Sequence, residues 1–217
     1  FMPGAEAGAV LTDILDGSVN PGGHLTFTVP HHIGQLPLVY NHRMGSGYHT
    51  GGDTMSLIFS GGYVDGTNRP LFPFGHGLSY TTFDVSDFAL SSSTLSTDGA
   101  IQASCRITNT GQRTGDQVLQ LYYHFSGAHV IRPCMQLAGF ARVNLAPGES
   151  KQVTFTLKAA ALGYYNEDMN FVVEPGPAEL SIGVSSDELC ASRSFEITGA
   201  PVDLMGKRCY GCDVQID

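Results

Sequence analysis

In several runs between residues 84 and 199 apolar side chains recur at every second position. A chain built that way folds as pleated strands with one face dry and the other wet. Ile101, Ala103, Cys105 and Ile107 alternate with Gln102, Ser104, Arg106 and Thr108 until Asn109-Thr110-Gly111 breaks the run. Val153, Phe155 and Leu157 repeat the pattern, as do Leu180, Ile182 and Val184. Val85 to Leu90, Gln117 to Phe125, Gln136 to Val143, Phe171 to Glu174 and Ser194 to Ile197 read as further strands, divided by turns such as Pro147-Gly148 and Pro175-Gly176. About seven short antiparallel strands with a turn every ~8–12 residues predict an immunoglobulin-like sandwich over 84–199. The alternation turns Ile107, Leu121, Phe155 and Ile182 inward. Composition agrees: 27 glycines and 11 prolines supply turns, and charged residues are 14% against about 25% in an average protein.

The first 83 residues have another character. Ala5, Ala9, Val10, Leu11, Ile14 and Leu15 fit an amphipathic helix from Ala5 to Leu15, closed by Asp16-Gly17. Asn20-Pro21-Gly22-Gly23 is a strong turn, and His24 to Val29 alternates as a strand until Pro30. Residues 31–73 show no sustained period and read as a long ordered loop. After it come Phe72, Phe74, Leu78 and Tyr80, apolar residues for which the sandwich is the nearest cover. Residues beyond Gly199 also lack a period and read as a tail.

Charge and cysteine content exclude several classes of function. A net charge of −9 does not provide the cationic surface that nucleic acid requires. No apolar run approaches the ~20 residues that span a bilayer, and Phe1 to Glu6 resembles no secretory leader, so a soluble chain with no membrane partner is expected. Five cysteines are an odd, sparse set, so the core has to hold without a disulfide framework. Cys209-Tyr-Gly-Cys212 has the spacing of a redox dithiol or half a zinc site, but no second such pair follows, and an incidental pair is the better reading. His31, His32, His42 and His49 share no helical spacing and recur beside no cysteine or acid, so loop histidines are expected rather than a metal site.

Several segments, taken in order, go beyond general pattern. Met2-Pro3-Gly4-Ala5-Glu6-Ala7-Gly8 opens a helix, Val19-Asn20-Pro21-Gly22-Gly23-His24-Leu25 and Thr28-Val29-Pro30 follow, and Pro73-Phe74-Gly75-His76-Gly77-Leu78-Ser79-Tyr80-Thr81 closes the first part. In the strand region stand Ile107 to Gly111, Gly115 to Tyr122, Arg132-Pro133, Leu137 to Phe140, Leu145 to Ser150 and Val173 to Gly176. In order and spacing these resemble the closing part of the second domain of glycoside hydrolase family three, followed by that family's fibronectin type III-like domain, over residues 1 to about 199. The fold class this implies is an α+β fragment, the end of an α/β sandwich domain, followed by an all-β sandwich. Residues 1–83 would be the fragment with its connecting loop, 84–199 the sandwich and 200–217 the tail.

The resemblance also implies a function: the carboxyl-terminal part of a retaining, exo-acting β-glucosidase or β-xylosidase. Such chemistry needs two carboxyl groups about 5 Å apart, a nucleophile and an acid/base. In the family the first is an Asp of a barrel domain and the second a Glu of the second domain, upstream of the Pro-Gly helix. This chain therefore carries no catalytic residue of its own, and Glu6 reads as an acid favoured by the helix dipole. The expected partners are the barrel domain and the start of the second domain, together with an oligosaccharide or glycoside substrate; a homo-oligomer is compatible, and no cofactor or metal is implied. Tyr40, Asn41, His42 and Arg43 would lie towards the substrate, Arg43 offering a forked donor to hydroxyls. The alternative reading is a free-standing carbohydrate-binding or adhesion-type module. Tyr122, Tyr123, Phe125, Tyr164 and Tyr165 could form its sugar platform, but in alternating strands they suit the core better, and the chain has no Trp. Asp168 and Glu174 read as turn or edge residues.

Overall fold

The computed structural model describes residues 4–43, 67, 69–207 and 209–217. One helix, α1 (Ala7–Leu15), precedes the strands β1 (Phe83–Leu90), β2 (Thr94–Ser96), β3 (Ala100–Asn109), β4 (Gly115–Phe125), β5 (Gln136–Leu145), β6 (Ser150–Lys158), β7 (Tyr164–Tyr165), β8 (Phe171–Val173), β9 (Gly176–Gly183), β10 (Leu189–Thr198), β11 (Val202–Asp203) and β12 (Asp213–Ile216). Among the described residues these make a four-stranded sheet β1-β3-β6-β12, a five-stranded sheet β2-β10-β9-β4-β5 and a small third sheet β11-β8-β7. The described residues thus have a mostly β architecture with one short α-helix, in which a β-sandwich follows an α+β segment.

The sandwich follows from the two-residue period. In β3, Ile101, Ala103, Cys105 and Ile107 are buried, and in β6 so are Val153, Phe155 and Leu157. Antiparallel pairing sets Ala103 opposite Phe155 and Cys105 opposite Val153. Leu119, Leu121, Leu180, Ile182 and Ile197 of the facing sheet close onto them in one cluster. Ile107, Leu121, Phe155 and Ile182 each have no exposed surface. The pairing is antiparallel except where β2 runs parallel to the end of β10.

Four local expectations need correction. Helix α1 starts at Ala7, with Glu6 as an N-cap that makes no side-chain capping bond. His24 to Val29 is not a strand: Val29 bridges Phe72, and Leu25 exchanges bonds with His76 and Gly75. Between these pairs Pro73 has no N–H to donate, and the tight turn from Pro73 to His76 takes the chain out of register. The segment beyond Gly199 is not structureless, since β11 pairs with β8 and β12 with β6. Tyr165 is 40% exposed, whereas Tyr122, Tyr123, Phe125 and Tyr164 are buried.

Asn109 sits at the inward phase of the last position of β3 and is fully buried. Its carbonyl accepts from the Thr81 hydroxyl at 2.8 Å and the Gly111 N–H at 3.0 Å. Its amide donates to the Arg113 and Leu145 carbonyls at 2.7 and 3.0 Å. A polar group in that position is tolerated because each of its atoms is satisfied.

Truncation of Phe155 to Ala should cost about 3–5 kcal/mol, the loss expected for a fully buried aromatic at the centre of a packed core. Urea unfolding followed by circular dichroism measures this; a midpoint unchanged from wild type would mean that the β6 register is wrong.

Candidate functional site

Strand β4 breaks the alternation. Leu119, Gln120, Leu121, Tyr122 and Tyr123 are all buried, as in a strand covered on both faces. Leu119, Leu121, Tyr123 and Phe125 face the sandwich core. Gln120 and Tyr122 point the other way, under the first part of the chain. The Gln120 amide donates to the Gly75 carbonyl at 3.3 Å and to the Val184 carbonyl at 2.9 Å, while its oxygen accepts the Tyr122 hydroxyl at 2.5 Å. Gly75 lies against that amide with φ +83°, so a β-carbon there would collide with the Gln120 side chain as well as strain the backbone. The Ser186 N–H donates to the Phe74 carbonyl at 2.9 Å. Gly22 packs as closely: a β-carbon would stand 2.7 Å from that of Asp116, whose carboxylate is held by Arg142 and Asn144.

A second set of bonds lies beside this one. Asn20 donates to the Thr114 carbonyl at 3.1 Å and accepts from the Ser79 hydroxyl and the Tyr80 N–H. Tyr80 donates to the Ile14 carbonyl at 2.7 Å. Arg113 donates to the Gly17 carbonyl at 2.9 Å and lies over the Tyr80 ring. The glycines and asparagine of the sequence segments at 19–25 and 73–81 are therefore used at the junction with the sandwich. Of the four apolar residues expected to be covered there, Phe74 is. Phe72, Leu78 and Tyr80 stay 39%, 74% and 46% exposed; of these three, Tyr80 meets the sandwich, under the Arg113 guanidinium, and much of the remaining contact is made by backbone and glycine.

The four expected substrate-side residues are brought to the sandwich. Tyr40 stacks on Phe74 with ring centroids 4.3 Å apart, meets Tyr122 edge-on and accepts the Leu137 N–H at 3.2 Å. His42 is buried, its carbonyl accepting the Cys134 N–H at 2.9 Å. Arg43 bridges Pro133 and is exposed, and Asn41 is half-buried. Burial raises the Tyr40 phenol above its ordinary pKa, so it stays protonated at neutral pH.

Two open clefts border the junction. One, of about 270 Å³, is lined by Leu25, Phe74, Leu137, Phe140 and Arg142 among others. The other, of about 490 Å³, includes His24, His76, Asp84, Gln117 and Glu188. Glu6 is exposed beside α1, Asp168 sits in the turn organised by Asn166, and Glu174 accepts the Tyr164 hydroxyl. Among the described residues no three His, Cys, Asp or Glu side chains are grouped so as to hold a metal ion; His49 lies outside the described residues. Burial raises the thiols of Cys105 to about 12 and Cys212 to about 11, so both stay protonated and unreactive at neutral pH.

Residues 1–80 match the family profile "Glycosyl hydrolase family 3 C-terminal domain" and residues 117–186 the profile "Fibronectin type III-like domain". The chain is 42% identical over 198 residues to the periplasmic beta-glucosidase of Salmonella typhimurium, covering 91% of this chain and 25% of that protein. It is 40% identical to a beta-xylosidase of Formosa agariphila, covering 84% and 24%. A crystal structure of the beta-glucosidase from Listeria innocua in complex with glucose superposes with a TM-score of 0.82 at 33% identity, over 92% of this chain and 27% of that one. The chain spans about a quarter of the length of the relatives it matches.

Gly75→Ala should destabilise the protein by about 1–3 kcal/mol, from a left-handed backbone and a displaced amide together. Limited proteolysis should then release residues 4–43 from the sandwich faster than in wild type; an unchanged digestion rate and unfolding midpoint would show that Gly75 does not seat on Gln120.

Proposed function

We propose, for a chain that belongs to glycoside hydrolase family 3 as its C-terminal domain joined to a fibronectin type III-like domain, that it is the supporting portion of a retaining, exo-acting β-glycosidase. The substrates are glycosides or oligosaccharides of the β-glucoside or β-xyloside kind, the two activities that its relatives are named for. The nucleophile and the acid/base come from the barrel domain and the start of the second domain, and this chain buttresses them. Tyr40, Asn41, His42 and Arg43 face the substrate side of that assembly.

One observation carries the reading: the outer face of β4 is covered by Gly22, Tyr40, Phe74 and Gly75 of the first part. A free-standing binding module has no use for such a cover, and a sandwich that must stay fixed to a second domain does. Satisfied polar contacts, each worth about 0.5–1.5 kcal/mol net, combine with apolar burial on Phe74 to hold the two parts as one body.

Two measurements test this. The full-length protein should hydrolyse nitrophenyl β-glucoside or β-xyloside with retention, while the isolated 217-residue chain should show no turnover; activity of the pure short chain would refute the division of labour. Deleting residues 84–217 from the full-length protein should abolish soluble expression or lower Tm. A deletion that left stability intact and only weakened adsorption to insoluble polysaccharide would instead support a binding module.

A further inference from the structure

We propose that the sandwich loop from Arg132 to Leu137 positions the substrate-side segment Tyr40–Arg43, with Tyr40 and Cys134 as the positioning residues; the inference rests on the glycosidase reading for what that segment faces. The contact is made on both backbone and side chain, across 90 to 97 residues of sequence. Arg43 pairs with Pro133, and the Cys134 N–H donates to the His42 carbonyl at 2.9 Å. The Cys134 thiol lies 3.7 Å from the Tyr40 carbonyl, to which it donates, and 3.6 Å from Nε2 of His42. Tyr40 closes the other end by accepting from Leu137 and stacking on Phe74.

The loop that receives the segment is itself braced from the core. His124 Nδ1 is 3.1 Å from the Pro133 carbonyl. Arg132 donates to Gln136 at 2.8 Å, Tyr123 donates to the same Gln136 oxygen at 2.9 Å, and the Arg132 guanidinium lies 4.6 Å over the Tyr164 ring. A displacement of Tyr40–Arg43 would break the contacts with Pro133, Cys134, Leu137 and Phe74 at once. Burial raises the Cys134 thiol, which therefore remains a protonated donor at neutral pH. The course of the four residues is thus set by a different domain from the one to which they belong, as is required where a small misplacement near substrate is costly.

Kinetics of the full-length enzyme on aryl glycosides, with alkylation of the 217-residue chain by iodoacetamide mapped cysteine by cysteine, test this. Tyr40→Ala should raise KM about tenfold and Cys134→Ala about threefold, the scale of one or two net hydrogen bonds, while Cys134→Ser, which keeps a donor, should return KM to within about twofold of wild type. Glu149→Ala, which removes the acceptor of the Ala146 N–H in a turn outside this contact, should lower Tm with KM unchanged. In the short chain Tyr40→Ala should speed alkylation of Cys134. Unchanged KM in Tyr40→Ala and Cys134→Ala, whatever their Tm, overturns the positioning role, and an unchanged alkylation rate overturns the docking. A wild-type full-length protein with no glycosidase activity would refute the glycosidase reading and the substrate-side role with it, while the alkylation rate would still decide the docking.

Discussion

Gln120 and Tyr122 lie on the outward side of β4, where a strand of a two-layer sandwich ordinarily meets water. Both are nevertheless buried, and much of the rest of the architecture follows from satisfying them. A buried amide left unpaired costs about 1–3 kcal/mol; the Gln120 side chain escapes that cost only because Gly75 brings a carbonyl to it and Val184 offers another. The close approach needs a residue without a β-carbon, and the left-handed backbone at that point calls for the same residue. One glycine thus answers two constraints, and its neighbour Phe74 gains an aromatic partner in Tyr40 as a result.

The two asparagines, Asn20 and Asn109, are joined by a short path. Asn109 accepts from Thr81 inside the sandwich, and Asn20 accepts from Ser79 and Tyr80 outside it. The segment that leads into β1 is therefore gripped from both directions within three residues. Because each amide carries donors and an acceptor, each can bind backbone from separate segments at once, which an aliphatic side chain cannot do.

The sandwich was legible because burial on one face imposes a period of two, and β3 and β6 keep it without exception. Leu119 to Tyr123 are five successive buried residues, the mark of a strand with two dry faces, but Gln120 interrupts the apolar side chains in the sequence, so the run reads there as an ordinary strand. β12 is too short for its pattern to stand out: Val214 and Ile216 alternate with Asp213, Gln215 and Asp217 over only five residues, and both stay exposed along the edge of β6. The expected strand at His24 failed for a reason written elsewhere, in Pro73. The meeting of Tyr40 and His42 with Cys134 could not be read from spacing, because the partners are 94 and 92 residues apart and only the folded sheet brings them together. For those four residues the family resemblance gave a direction, and geometry gave the neighbours.

The cover on β4 also imposes an order in time. As the chain leaves the ribosome, residues 22–26 and 74–75 appear before the strand they rest on, and that strand does not gain both of its sheet neighbours until β9 is made at residue 183. At about 5–20 residues per second, roughly a hundred residues of synthesis separate the Gly75 turn from a finished seat. During those seconds Leu25, Phe74 and Tyr40 can meet one another but lack their partners on the sandwich, so the junction that later holds the two parts together is, in the nascent chain, an uncovered surface.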